Sequence, residues 1–188
     1  MLFRSGARTL AVRTDVSRAS DVEALAGRTV ETFGAVDLLF NNAGVDVGGA
    51  ARVWENSPAD WEWILGVNLL GVSHGIRTFL PLMLRQNTEG HVVNTASVAG
   101  LTAGPGRGAY RVTKQAVVSL SETLYHELAA IGSRIGVSVL CPAWVNTQFV
   151  DAERNRPSHL KSAGTARRGP EEIAAEIFLR TAVERGMS

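Results

Sequence analysis

Strand-length apolar runs separated by long helical patterns constrain this chain more than any other feature of its sequence. Val36 to Phe40 is a near-continuous apolar run, and His91 to Thr95 and Ile135 to Leu140 are two further runs of strand length. Runs of this kind, apolar toward both sides, belong to strands covered on both faces, as in parallel sheets. Between them the sequence reads as helix. Asp21 to Phe33 carries a helical pattern ahead of the first run. Ser57-Pro58-Ala59-Asp60 is a helix start with proline in the first turn, and the helix it opens runs from Trp61 to Leu84 with Pro81 near its end. Gly108 to Ile131 is the next helix. Thr9 to Val12 reads as an earlier strand, and Pro170 with Glu171 and Glu172 opens a last helix reaching about Glu184. Crossovers of this length join parallel strands, so the expected fold class is α/β, a three-layer parallel sheet with helices on both faces.

Composition narrows the function classes. The chain has 188 residues, 45% hydrophobic and 20% charged, which suits one domain, 1–188, with a sizeable core. A formal net charge of +1 gives no electrostatic case for nucleic acid or for an anionic membrane. No apolar run approaches the roughly 20 residues of a membrane span, and no signal peptide is visible, so a cytoplasmic protein is expected. The single cysteine, Cys141, ends a strand and reads as core packing. No metal site is expected: His126-Glu127 does not begin a zinc-binding HExxH, because Ala130 stands where the second histidine belongs.

The chemistry gathers at Tyr110 and Lys114, four residues apart, with Ser97 thirteen residues ahead of the tyrosine. Four residues is about one helical turn, so the phenol and the ammonium leave one face of a helix. The chain has two tyrosines, and only two lysines against seventeen arginines, which makes a casual pairing less credible. A free tyrosine, with a pKa of roughly 10, exchanges protons poorly at neutral pH. A cation about 4 Å away at an effective dielectric near 20 contributes roughly 4 kcal/mol, enough to bring the phenol toward about 7. Ser97 then holds the oxygen that gains or loses the proton. The pattern fits proton transfer at an alcohol or ketone.

The surrounding motifs extend the case. Asn41-Asn42-Ala43-Gly44 follows the first strand, Val67-Asn68-Leu69 lies inside the long helix, Asn94-Thr95-Ala96-Ser97 closes the second strand, and Cys141-Pro142-Ala143-Trp144-Val145-Asn146-Thr147 follows the third. In this order and at these spacings the chain resembles the short-chain dehydrogenase/reductase family over most of its length. The resemblance implies a Rossmann-like sheet and a catalytic tetrad of Asn68, Ser97, Tyr110 and Lys114. In that tetrad Tyr110 is the general acid/base and Ser97 polarises the substrate oxygen. Lys114 lowers the tyrosine pKa and holds the nicotinamide ribose, and Asn68 anchors a proton-relaying water. It also implies an NAD or NADP site formed by Asp15 and Val16 at the adenine, Asn41, Ala43 and Gly44 along the adenine-ribose side, Tyr110 and Lys114, and Pro142, Val145 and Thr147 beside the nicotinamide. Ala143 replaces the usual glycine of that last segment, which is awkward only if its φ is positive.

The resemblance further implies a sheet of order 3-2-1-4-5-6-7. This chain enters near the third strand, so it lacks the first two strands and the TGxxxGxG turn that cradles the pyrophosphate, and it stops before the seventh. A fragment cut at both ends is expected, with an apolar unpaired edge on the Val36 strand. Gly100, Gly104 and Gly106 match GxxxGxG, but their place between Ser97 and Tyr110 reads better as the loop joining the two. The segment 150–169, rich in Arg and Ser, reads as a substrate lid. Three functions follow: an NAD(P)-dependent oxidoreductase acting on a small alcohol or carbonyl substrate, a homo-oligomer when full-length; an inactive fragment acting through the pairing surface of the helices Trp61–Leu84 and Gly108–Ile131; or a dehydratase or epimerase using the same Tyr–Lys pair. The choice between NAD and NADP is not readable, because its determinant would lie in the second strand.

Overall fold

Three parallel strands are held side by side, and the helices between them gather on one face. The computed structural model describes residues 6–47, 52–145, 147–161 and 181. The strands β1 (Leu38–Asn41), β2 (Gly90–Thr95) and β3 (Ile135–Leu140) lie in the order β1-β2-β3, with Leu39 opposite Val92 and Val92 opposite Val137. The helices are α1 (Ala19–Phe33), α2 (Pro58–Leu65), α3 (Gly71–Gln86) and α4 (Gly108–Ala130). Val22 and Ala26 of α1, Phe79, Leu80 and Met83 of α3, and Leu124 and Leu128 of α4 close over Leu39, Val92 and Ile135 in one core. Strand residues alternate between faces, so Leu38 and Phe40 point away from this core, and they are 54% and 57% exposed. The α/β reading and the adjacency of the three strands hold. Among the described residues the covering helices lie on one side of the sheet, and the expected helix near 170–184 falls outside them.

Local chemistry accounts for the element ends. Ser57 and Asp60 form a reciprocal cap at the start of α2: the Asp60 amide donates to Ser57 Oγ at 3.2 Å, and the Ser57 amide donates to Asp60 Oδ2 at 2.9 Å. The sequence suggests one helix from Trp61 to Leu84; the structure has α2 and α3 joined by a π turn over Gly66–Leu70, whose closing amide, that of Gly71, donates to Gly66 O five residues back. The first strand starts at Leu38 instead of Val36 because the Gln86 side chain takes both Val36 backbone groups, at 2.8 and 2.9 Å.

One expectation is corrected. Residues 9–12 are not a strand, since no described strand runs beside them to complete a ladder. Just ahead of this stretch, the Arg8 guanidinium donates to Thr32 O of α1 and sits 5.7 Å from the centre of the Phe33 ring.

Candidate active site

The carboxyl ends of β2 and β3 and the first turns of α4 bring Ser97, Tyr110 and Lys114 together. Ser97 leaves β2 in an extended conformation and its hydroxyl accepts from the Ala99 amide at 3.1 Å, starting a short 3-10 turn. That turn presses onto α4 at Gly100, where a Cβ would lie 2.7 Å from the Lys114 carbonyl, so a residue with a side chain would hold the serine away from the helix. At Gly100 the absence of a side chain thus serves the approach of the Ser97 turn to α4. All three catalytic candidates on these elements are buried.

Electrostatics at the pair differ from the sequence expectation. Lys114, 4% exposed, donates from Nζ to Thr95 O at 2.8 Å, and its ammonium lies 5.8 Å from the centre of the Tyr110 ring. Burial lowers the lysine pKa to about 8, with Cys141 acting weakly in the opposite sense. Burial also pushes the phenol above its ordinary range; the Ser97 hydrogen bond and the Arg107 charge pull it down, and Asp46 pushes it up. The fall toward neutrality expected from Lys114 is absent here, because the ammonium is turned to a carbonyl and the cation nearest the ring is Arg107.

Asn68 sits in the π turn with no exposed surface. Its Oδ1 accepts from the Val45 amide at 2.8 Å, while Nδ2 donates to Val45 O at 2.9 Å and to Thr113 Oγ1 at 3.1 Å. This clamp fixes the loop after β1 beside α4, and a Cβ on Gly44 would stand 3.5 Å from Lys114 Nζ and 3.7 Å from Asn68 Oδ1. Asn41 Nδ2 donates to Asn94 Oδ1 at 2.8 Å, and Asn94 Nδ2 to Ser121 Oγ at 3.0 Å. Val16, Asn41 and Ala43 line one cleft of about 190 Å³ with Gly71 and Gly75. Asp15 closes the turn before α1 by accepting from the Ser17 amide and hydroxyl, at 3.0 and 2.7 Å.

The segment after β3 completes the surroundings. Pro142 O accepts from the Val98 amide at 3.1 Å, seating the segment beside Ser97. Val145 is exposed, and Thr147 Oγ1 accepts from the Phe149 amide at 3.3 Å, capping a 3-10 stretch over Gln148–Asn155. Among described non-glycine residues the positive φ values fall at Asn87 and Arg107, so alanine at position 143 strains nothing. The candidates thus form two adjoining groups meeting at Ala43–Gly44: the four tetrad candidates with Gly44, and the cleft group with Val16. Asp15 stands aside, at the foot of α1.

A family model described as short chain dehydrogenase matches residues 2–158. The chain belongs to the short-chain dehydrogenase family. It is 36% identical over 157 residues to the CLA biosynthesis dehydrogenase/reductase of Lactiplantibacillus plantarum, covering 84% of this chain and 54% of that protein. It is 37% identical over 177 residues to the 2-(R)-hydroxypropyl-CoM dehydrogenase of Xanthobacter autotrophicus, covering 94% of this chain and 69% of that one. A short chain dehydrogenase/reductase from Burkholderia phymatum, solved in complex with NAD, superposes with a TM-score of 0.88 at 52% identity over 95% of this chain and 62% of its own. The chain therefore spans about half the length of the first of these relatives and under two thirds of the Burkholderia chain.

Three residues of this short-chain dehydrogenase stand at the site without having been singled out for it from sequence. Arg107 Nη2 meets Asp46 Oδ2 at 2.6 Å, and its guanidinium lies 4.4 Å from the centre of the Tyr110 ring and 5.9 Å from that of Trp144. Phe149 packs against the tyrosine in a tilted arrangement, with ring centroids 5.7 Å apart. Arg107 precedes the tyrosine by three residues, one helical turn, which was the readable signal; Asp46 and Phe149 arrive from distant loops and left none.

Proposed function

We propose that this chain carries the catalytic part of an NAD(P)-dependent oxidoreductase that moves hydride between a nicotinamide and the carbon of a small alcohol or carbonyl substrate. The observation that carries the reading is the gathering of buried Ser97, Tyr110 and Lys114 where the end of β2 meets the first turns of α4, with the ammonium one turn along the same helix from the phenol. The nicotinamide end of a cofactor suits these residues: Lys114 is a buried cation whose recorded acceptor is a single carbonyl, leaving N–H groups for a ribose diol. Solved relatives point to the same ligand class, since one holds NAD and an alcohol dehydrogenase from Thermococcus sibiricus holds 5-hydroxy-NADP.

In this reading Ser97 donates to the substrate oxygen and holds it against Tyr110. Tyr110 takes the hydroxyl proton during oxidation and returns it during reduction. Lys114 orients the ribose and, once drawn from Thr95 O, brings its charge to bear on the phenol. Asn68 holds Val45 and hence Gly44 in place, and the lone pair left on its Oδ1 is what remains for a bound water. Pro142, Val145 and Thr147 line the nicotinamide side, Val16 the adenine and Asn41, Ala43 and Gly44 the adenine-ribose side; of the expected substrate lid 150–169, residues 162–169 lie outside the described residues. The nicotinamide, when bound, supplies or accepts the hydride.

The test is formation of reduced nicotinamide from NAD+ or NADP+ with a panel of secondary alcohols, run beside Tyr110→Phe. We expect the variant to lose turnover by about 100-fold or more and to keep cofactor affinity nearly unchanged. Turnover retained in Tyr110→Phe would sink the general acid/base role. Lys114→Met is expected to weaken both turnover and cofactor binding. A second reading, a fragment acting by pairing with another copy, draws on the exposed apolar residues Leu70, Val112 and Tyr125 along the helices; it takes the lead if the parent chain transfers no hydride with either cofactor yet elutes as a single defined oligomer.

A further inference from the structure

We infer that Arg107, held by Asp46 against the face of Tyr110, is a positioning residue that favours the ionised form of this tyrosine, with Asp46 as its counterweight. The inference rests on the reading of Tyr110 as the proton-transfer residue. Three features of Arg107 are unfavourable taken singly. Its backbone lies in the left-handed region at φ 55°, uncommon for a residue other than glycine. It meets Asp46 through a single short contact, Nη2 to Oδ2 at 2.6 Å, where an arginine and a carboxylate left to themselves favour a two-pronged fork. Arg107 Nε and Asp46 Oδ1 are consequently buried without a hydrogen-bond partner. All three share one result: the guanidinium sits over the Tyr110 ring, 4.4 Å from its centre, instead of squaring up to the carboxylate.

A cation over an aromatic face is held by the electron density of the ring. That density rises when the phenol loses its proton, so the contact tightens on ionisation and acts on the acid–base equilibrium as well as on the ring's position. Asp46 opposes it from behind. The directions in which the two charges act on Tyr110, Arg107 downward and Asp46 upward, agree with this geometry.

Among the described residues, the other groups facing the tyrosine are these. Lys114 stands one turn on, Ser97 acts on the phenol from the end of β2, and Cys141, just past β3, acts on Lys114. Phe149, from the segment after β3, is apolar, and Asp60 on α2 is taken up by Arg156 at 2.7 Å.

The test reads Tyr110 directly and needs neither cofactor nor turnover. The chain has two tyrosines, and Tyr125 is exposed, so Tyr125→Phe leaves one ultraviolet tyrosinate signal. The signal is read within milliseconds of a pH jump, before an alkaline chain unfolds. In that background Arg107→Met should make Tyr110 titrate higher, by about half to one pH unit, and Asp46→Asn should make it titrate lower. Arg107→Lys should fall between parent and Arg107→Met, because it keeps the charge and loses the planar group. A pair that merely braces the loop would move both variants the same way or neither; either result overturns the inference. Should Arg107→Met fail to fold, the sign of the Asp46→Asn change still decides. An unchanged opposite-sign pattern in a chain without hydride transfer would sustain this inference while the proposed function fell.

Discussion

At the scale of single residues, Lys114 sets up a stability effect that runs against its proposed use. Its pKa falls from 10.5 to about 8 on folding, so the unfolded chain binds more protons than the folded one between those two values. The cost of burying the ammonium is complete below about pH 8, on the order of 3 kcal/mol, and is relieved as pH rises toward 10.5. Lys114→Met should therefore raise stability near pH 7, and the parent should gain on the variant at about pH 9.5, both read as urea midpoints. A variant less stable than the parent at both pH values would mean that the bond to Thr95 O outweighs the burial. At this scale the sequence was legible where chemistry is local. Tyr110, Lys114 and Ser97 meet as their spacing suggests, and Asn68 lies beside them. The balance of charges at the tyrosine was not legible, because the Asp46 partner of Arg107 is remote along the chain and a lysine's direction depends on the carbonyl it finds.

Elements show the same division between local and distant causes. The cap at Ser57 and Asp60 was readable from four consecutive residues, whereas the second duty of Asp60 was not. Its Oδ1 meets Arg156 Nη2 at 2.7 Å, Arg156 also meets Glu153 at 2.7 Å, and the guanidinium lies 4.4 Å from the centre of the Trp63 ring. The segment 148–161 is thereby fastened to the start of α2. Burial works against ionisation of Asp60, but hydrogen bonds from the Ser57 side chain and backbone, with Arg156, outweigh it and hold the carboxyl below its ordinary 3.8. Its contribution is present above that value and is lost as pH falls below it. Asp60→Ala should lower stability by about 1–3 kcal/mol and speed proteolysis within 148–161, whereas Glu153→Ala, at a half-exposed partner, should do less of both. A loss of stability in Asp60→Ala with proteolysis within 148–161 unchanged would show that the cap alone matters. The failure at residues 9–12 follows the same rule: an apolar run becomes a strand only when another strand offers its backbone.

Among the described residues the sheet has one open face. Leu38 and Phe40 on the edge strand and Leu140 on the other outer strand leave apolar surface on the sheet face away from α1, α3 and α4. Leu38→Lys with Phe40→Lys should keep this chain monodisperse at higher concentration in light scattering, with its urea midpoint little changed, since both side chains are already more than half exposed. Unchanged scattering would mean that association proceeds through another surface. On the covered side, the π turn at Gly66–Leu70 acts as a phase setting between α2 and α3. Each residue of an α-helix advances the chain by about 100°, so deleting one residue from the turn would keep the helix and swing α2 through more than a quarter of a revolution against α3. Trp63 and Ile64 would then face water, and Asn68 would lose Val45. The length of that turn is a dial with one workable position, and point substitutions that spare it leave the dial untouched.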